Sequence, residues 1–245
     1  AASWLRGINW IAIPTTIVGA VDAAIGGKTA INSEYGKNLI GAFHSPAIVL
    51  IDTTWFSSLS DRDFAAGLAE VVKTGFIADE VILEKMNGRS IKEIRSDKDL
   101  LIDLIERSVR VKASVVSADF KESFAREVLN YGHTLGHAIE LHSKFNLRHG
   151  ECVAIGMAFM ARLQESLKLI SPDLAQRHLD LLKGLGLPTS YERTAWPSLL
   201  ANMKLDKKSR GDTLRFVTIT EIGRTDRLEG PDEEALWQAY EKVSK

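Results

Sequence analysis

The sequence predicts an α/β segment followed by a mostly α-helical domain, with the change of character near residue 60 of 245. Two observations carry that reading. Two short apolar runs, Ile8–Ile13 and Ala47–Ile51, flank a Gly-rich stretch from Asp22 to Asn38, the pattern of strands joined through turns. After Ser60 the apolar residues recur at helical spacing almost to the end.

In chain order, Ala1 to Arg6 resembles the last turn of a helix capped by Gly7. Ile8–Ile13 then reads as a buried strand stopped by Pro14. The start, which has no initiator Met, lacks a charged opening and a cleavage site and is not expected to be a signal peptide. A helix tail feeding a strand predicts a chain that begins inside a domain. Asp52 closes the second strand, and Ser60 or Asp61 offers an N-cap. Helices are expected over Asp63–Ile77, Asp79–Met86, Asp97–Ala118, Phe124–His142, Glu151–Leu169 and Pro172–Leu185, the last ended by Gly186-Leu187-Pro188. A short helix near Trp196–Met203, strands at Leu214–Thr220 and Arg227–Leu228, and a closing helix Asp232–Val243 complete the pattern. No internal repeat or long linker breaks it.

Composition narrows the function classes. A 45% hydrophobic, 26% charged chain has an ordinary globular balance. A net charge of −1 argues against wholesale nucleic-acid binding, so any anionic ligand needs locally gathered cations. The apolar run Cys152–Ala161 is too short to span a bilayer. The single Cys152 excludes an internal disulfide and suits a reducing cytoplasm.

Arg126, Asn130, His133, His137 and Glu140 are spaced four, three, four and three residues apart. At about 100° per residue they fall within roughly an 80° wedge of one helix. Apolar residues normally occupy such a seam, so this face is read as the wall of a cleft. His133 and His137 at i, i+4 can clamp a zinc ion, with His149 following on a turn and a carboxylate elsewhere completing the set. The other reading is hydrogen-bonded core or surface histidines. Glu70 and Lys73 share a helix face amid Ala, Gly and Val; they project into a cleft or form a surface ion pair. Gly26-Gly27-Lys28-Thr29 lacks the first Gly that the Gly-x4-Gly-Lys-Thr spacing of a nucleotide phosphate loop requires. With Lys37 it still suits an anion, unless it is a plain loop. Lys112 interrupts an apolar stripe, as a snorkelling lysine also would. Lys207-Lys208 is a charged loop.

Taken in order, Ile13-Pro14-Thr15-Thr16, Val21-Asp22, Gly26-Gly27-Lys28-Thr29, Gly36-Lys37-Asn38, Gly41-Ala42-Phe43, Gly67 to Lys73, Leu129 to Ala138 and His149-Gly150-Glu151 resemble the 3-dehydroquinate synthase family. The resemblance implies a dehydroquinate synthase-like fold, in which residues 1–60 are the remnant of a Rossmann-like NAD domain and residues 61–245 a helical metal- and substrate-binding domain. It implies metal ligands at Glu70, His133 and His149, and it moves His137 off the metal toward the substrate. Asp22, Lys73, Lys112 and His137 match the family's catalytic positions. Arg6, Lys28, Asn38, Arg126, Asn130 and Lys207 match its substrate contacts, with Arg6 reaching a neighbouring subunit in a homodimer. Thr15, Thr16, Asp22, Lys28 and Lys37 fall where the family contacts NAD.

The implied reaction turns 3-deoxy-D-arabino-heptulosonate 7-phosphate into 3-dehydroquinate and phosphate in the shikimate pathway, with NAD used catalytically beside zinc or cobalt. Family members carry a Gly-Gly-Gly-x-x-x-Asp loop that this sequence does not contain. The 245 residues alone are therefore expected to bind metal, to bind NAD weakly and to turn over poorly. Other implied possibilities are another sugar-phosphate cyclase, a related metal-dependent polyol dehydrogenase, or a non-catalytic partner subunit.

Overall fold

The structure is a computed structural model describing residues 1–34, 36–120, 125–207 and 213–245, without the side chains at 32, 33, 36–38, 125, 206 and 207. As the fold class expects, short strands and turns come first and long helices follow. Strand β1 (Ile11–Ala12) runs parallel to β4 (Ile48–Val49), with Ile11 opposite Ile48. Only two residues of Ile8–Ile13 are in a strand, and Ile8, Ile11 and Ile13 are exposed rather than buried. Nor is the start a helix tail. Trp4–Arg6 is a single 3₁₀ turn in which Leu5 and Arg6 take φ of 47° and 69°, a region that interrupts an α-helix.

The Gly-rich stretch is more ordered than a turn region. A π-type turn, Gly19–Ala23, sets the position of Asp22. Beyond it, β2 (Lys28–Ser33) and β3 (Gly36–Phe43) form an antiparallel hairpin, with Lys28 opposite Phe43 and Ile31 opposite Ile40. The β-branched Thr29, Ile31 and Ile40 favour that extended path.

Helix α1 (Asp61–Ala78) starts at Ser60, whose hydroxyl accepts the Asp63 N–H at 3.1 Å. It is followed by α2 (Glu80–Met86), α3 (Ile91–Ser96) and α4 (Lys98–Ala118). The Ser90/Glu93 capping box that starts α3 was not anticipated. The helix expected over Phe124–His142 is in fact two pieces. Ala125–Asn130 is 3₁₀, and α5 (His133–His142) begins after Gly132. Gly132 takes φ of 77°, which a continuous helix cannot accommodate.

Helix α6 (His149–Ser166) is buried along almost its whole length and packs on α1, α5, α7 (Pro172–Gly184) and α9 (Glu233–Glu241). Helix α8 (Trp196–Lys207) and the hairpin of β5 (Arg215–Glu221) and β6 (Arg224–Glu229) close the helical part. Among the described residues, no helix is long and apolar enough to cross a membrane.

Candidate active site

Helix α1 is buried from Phe64 to Ile77, and the two charges of that stretch, Glu70 and Lys73, are buried with it. Glu70 and Lys73 are 1% and 2% exposed, and Lys73 Nζ lies 2.5 Å from Glu70 Oε2. That burial rules out a surface ion pair. The other carboxylate oxygen, Glu70 Oε1, is buried with no hydrogen-bond partner, an arrangement that costs free energy unless something else occupies its lone pairs. It faces His133 Nε2 at 3.6 Å and His149 Nε2 at 3.4 Å. One donor atom from each of the three residues lies within 4.8 Å of the others. Two imidazoles and a carboxylate converging on an unsatisfied oxygen fit a divalent cation with room for a further ligand.

Local structure sets each donor. His133 and His149 are the first residues of α5 and α6. His133 Nδ1–H donates to the Tyr131 carbonyl at 3.0 Å, leaving Nε2 for a ligand. His149 Nδ1 faces Glu140 Oε2 at 3.7 Å. The α6 start is pinned to α1 by Arg62, whose Nε and Nη2 each donate to Glu151 at 2.6 Å, while Glu151 accepts the Arg148 N–H at 2.7 Å. Gly150 permits the close approach, since a Cβ there would lie 1.8 Å from the Ala66 carbonyl oxygen.

Burial alone would raise the Glu70 pKa, but the Lys73 ammonium and the His149 and His133 rings hold it well below the carboxylate range. Burial and Lys73 push His133 down to about 3, so its ring is neutral at pH 7. Burial opposes charge on His149 too, yet Glu140 and Glu70 outweigh it and raise the ring to about 10. The metal-free chain therefore carries a proton where a cation would bind. Raising the pH toward 10 removes that competitor, so affinity for Zn²⁺ should rise about tenfold per pH unit between roughly pH 7 and 9. Calorimetry at pH 8 in two buffers of different ionisation enthalpy should show about one proton released per ion. Release of none would contradict this assignment of the His149 charge.

A second charge pair adjoins the first. Lys112 is 7% exposed and forms an ion pair with Asp22, so it is buried rather than snorkelling. Burial and Glu70 act to raise the Asp22 pKa, but Lys112 and Lys73 prevail and lower it. Burial lowers the Lys112 pKa, with Asp22 opposing.

The remaining expected residues spread outward. Arg126, buried, donates from Nη1 to the carbonyls of Phe120 (3.0 Å) and Gly26 (3.4 Å), and its N–H reaches Asp119 at 3.2 Å. It shares the 3₁₀ segment with half-buried Asn130, so the polar seam is not one helix face. His137 is exposed one turn beyond His133, their rings 5.2 Å apart. Lys28 is exposed at the start of β2. Thr16 Oγ1 accepts the Gly19 N–H at 3.1 Å. Arg6 and Thr15 are exposed, and among the described residues no hydrogen bond or ion pair joins them or Thr16 to the carboxylate cluster. The side chains of Lys37, Asn38 and Lys207 lie outside the described residues. Sequence reasoning missed what Glu140, Tyr131, Glu151 and Arg62 do; the Glu three positions after Arg148 was the one available signal, as a helix-start pattern.

Comparison with known proteins places the chain in a family. The model of the 3-dehydroquinate synthase N-terminal domain matches residues 1–66, and that of the C-terminal domain matches residues 67–209. A 3-dehydroquinate synthase of Corynebacterium efficiens is 50% identical over all of this chain and 67% of its own length. One from Streptomyces avermitilis is 50% identical over all of this chain and 68% of its own. The chain thus spans about two-thirds of these relatives. Among solved structures, 2-epi-5-epi-valiolone synthase of Streptomyces hygroscopicus, with NAD⁺ and Zn²⁺ bound, superposes with a TM-score of 0.92 at 24% identity, covering 99% of this chain and 68% of that one. A 2-deoxy-scyllo-inosose synthase complexed with carbaglucose-6-phosphate, NAD⁺ and Co²⁺ gives 0.83 at 27% identity, covering 99% of this chain and 69% of that one. With both domain models matched in order and half the residues identical to such synthases over its whole length, the chain belongs to the 3-dehydroquinate synthase family.

Proposed function

We propose that this chain serves as a 3-dehydroquinate synthase, a carbon–oxygen lyase that converts 3-deoxy-D-arabino-heptulosonate 7-phosphate to 3-dehydroquinate and phosphate in aromatic amino-acid (chorismate) biosynthesis. The observation that carries the reading is the unpartnered Glu70 Oε1 facing two imidazoles, beside a buried Lys73–Glu70 pair and a half-buried Lys112–Asp22 pair. Glu70, His133 and His149 would hold Zn²⁺ or Co²⁺. Thr15, Thr16, Asp22, Lys28 and Lys37 would meet NAD, a set of hydroxyls, a carboxylate and ammonium groups that suits a ribose and phosphates. Residues 1–60 would form the NAD-facing unit and residues 61–245 the metal and substrate unit. The bound cation supplies Lewis acidity and NAD a reversible hydride sink.

The chain's own groups do the remaining work. Asp22, Lys73 and Lys112 orient the substrate hydroxyls, with Lys112 paired to Asp22 and Lys73 to Glu70. Lys28, Asn38, Arg126, Asn130 and Lys207 hold the phosphate and carboxylate. His137, exposed beside the cluster, takes and returns a proton. A homodimer with Arg6 reaching across fits the β2–β3 hairpin, on which Ile31, Leu39 and Ile40 are all exposed. Such an uncovered two-stranded unit is marginal in water. A cytoplasmic location fits the single buried Cys152.

The test is incubation of the zinc-loaded chain with NAD and the heptulosonate phosphate. Phosphate and 3-dehydroquinate should form in equal amounts with no net NADH, at a low rate for these 245 residues alone. Steady NADH accumulation would point instead to a polyol dehydrogenase. Turnover of a different sugar phosphate in preference would point to another cyclase.

A further inference from the structure

Behind the His133 turn lies a chain of polar groups that substrate chemistry does not require. Tyr131, Gln164 and His178 are each 0% exposed, deep among α1, α6, α7 and β5. His178 Nδ1 sits 2.8 Å from the Leu174 carbonyl, which can only accept, so Nδ1 carries the proton and Nε2 is an acceptor. The Tyr131 hydroxyl therefore donates to His178 Nε2 at 2.9 Å. The same hydroxyl accepts from Gln164 Nε2 at 3.2 Å, whose second proton goes to the Met160 carbonyl at 3.0 Å. Gln164 Oε1 accepts the Ile219 N–H of β5 at 2.6 Å. Burial lowers the His178 pKa to about 4, so the ring is neutral. It also stacks on Phe76 of α1, with centroids 3.5 Å apart and planes 6° apart. Every polar atom named here has its partner, the condition under which a buried network rigidifies its surroundings.

At its other end the network meets the site. Tyr131 offers its main-chain carbonyl to His133 Nδ1, and its own N–H makes only a long 3.4 Å bond to the Val128 carbonyl. The ring anchored in the core is thus one hold on the residue whose carbonyl meets His133, beside the close main-chain packing of Gly132 on α6. We propose that Tyr131, Gln164 and His178 are positioning residues for the metal ligand His133. By fixing the Tyr131 carbonyl they set the tautomer and plane of the His133 ring, so that Nε2 meets the cation. This rests on the metal reading proposed above. The polar groups are separated by 33 and 47 residues in sequence. An all-apolar core would pack α6 and α7 without them, and the link to the His133 carbonyl partner gives them a reason to be polar.

The test compares Zn²⁺ affinity, the visible spectrum of the Co²⁺-loaded chain and thermal stability in the full chain and its variants. Tyr131→Phe keeps the ring and removes the hydroxyl. It should weaken Zn²⁺ binding by about 10-fold, the lower end for losing a partner of a ligand, and shift the Co²⁺ bands. His178→Leu should do the same, while His178→Gln, which keeps an acceptor for the hydroxyl, should recover most of the affinity. Ile94→Val, a core truncation in α3, should lower stability with affinity and spectrum unmoved. Stability losses at Tyr131 and His178 with unchanged affinity and spectrum would overturn the relay and leave a purely structural network. A wild-type chain that takes up no Zn²⁺, or a Glu70→Gln variant that binds it as tightly, would overturn the metal reading and the relay together.

Discussion

Glu70→Gln is expected to abolish metal binding and to destabilise the metal-free chain, two effects with separable causes. The substitution removes the only anionic ligand of the proposed trio. Zn²⁺ affinity should fall by more than the roughly 100-fold that marks the upper end for loss of an outer partner. It also leaves Lys73, 2% exposed, without the carboxylate 2.5 Å away. Removing one member of a buried pair costs about 3–5 kcal/mol. For a chain of this size that is a fall in Tm of about 6–20 °C. The double variant Glu70→Gln/Lys73→Met should regain most of the stability, since replacing both members of a buried pair is often close to neutral. It should not regain the metal. Calorimetric titration with Zn²⁺ and thermal unfolding of the three proteins check this. Recovery of metal binding in the double variant would show that Glu70 is structural alone.

Gly156→Ala carries the second large effect, and its sign runs against ordinary helix behaviour. Within a helix, Gly to Ala normally stabilises by up to about 1 kcal/mol. Here a Cβ on Gly156 would lie 1.8 Å from the Gly132 carbonyl oxygen and 3.2 Å from the Gly136 N. Those atoms are themselves hydrogen-bonded, Gly136 N–H to Gly132 O at 3.1 Å, in the turn that launches His133. Main chain cannot swing aside as a flexible side chain can, so α5 and α6 must separate. A loss of about 3 kcal/mol is expected, a Tm lower by about 6–12 °C. Because the turn moves His133, Zn²⁺ affinity should fall as well. A stabilised protein with normal affinity would show that the α5–α6 contact is looser than described.

The sequence pointed to the charges of α1, because Glu70 and Lys73 are isolated amid small apolar residues, but it left a cleft and a surface ion pair both open until burial decided between them. It misplaced the seam. Arg126, Asn130, His133 and His137 have helical spacing, but Gly132 takes a left-handed turn and the Tyr131 ring enters the core, so the first two residues stand on a separate 3₁₀ piece. Periodicity records spacing; it does not record a break whose cause is a tertiary contact with α6. The β2–β3 hairpin was hidden because Gly26, Gly27 and Gly36 dominate a reading by turn residues, while Thr29, Ile31, Leu39 and Ile40 carry the extended signal. The Tyr131–Gln164–His178 network was illegible for a different reason. Each member looks like an ordinary helix or loop residue until the fold brings distant segments together.

If Glu70, His133 and His149 form a metal centre, X-ray absorption at the zinc edge of the loaded chain should show it. Two imidazole nitrogens and carboxylate oxygen are expected near 2.0–2.2 Å, roughly the distances typical of zinc, with loss of one imidazole shell in His133→Ala. Sulfur scattering from Cys152, or a zinc shell unchanged by His133→Ala, would contradict it.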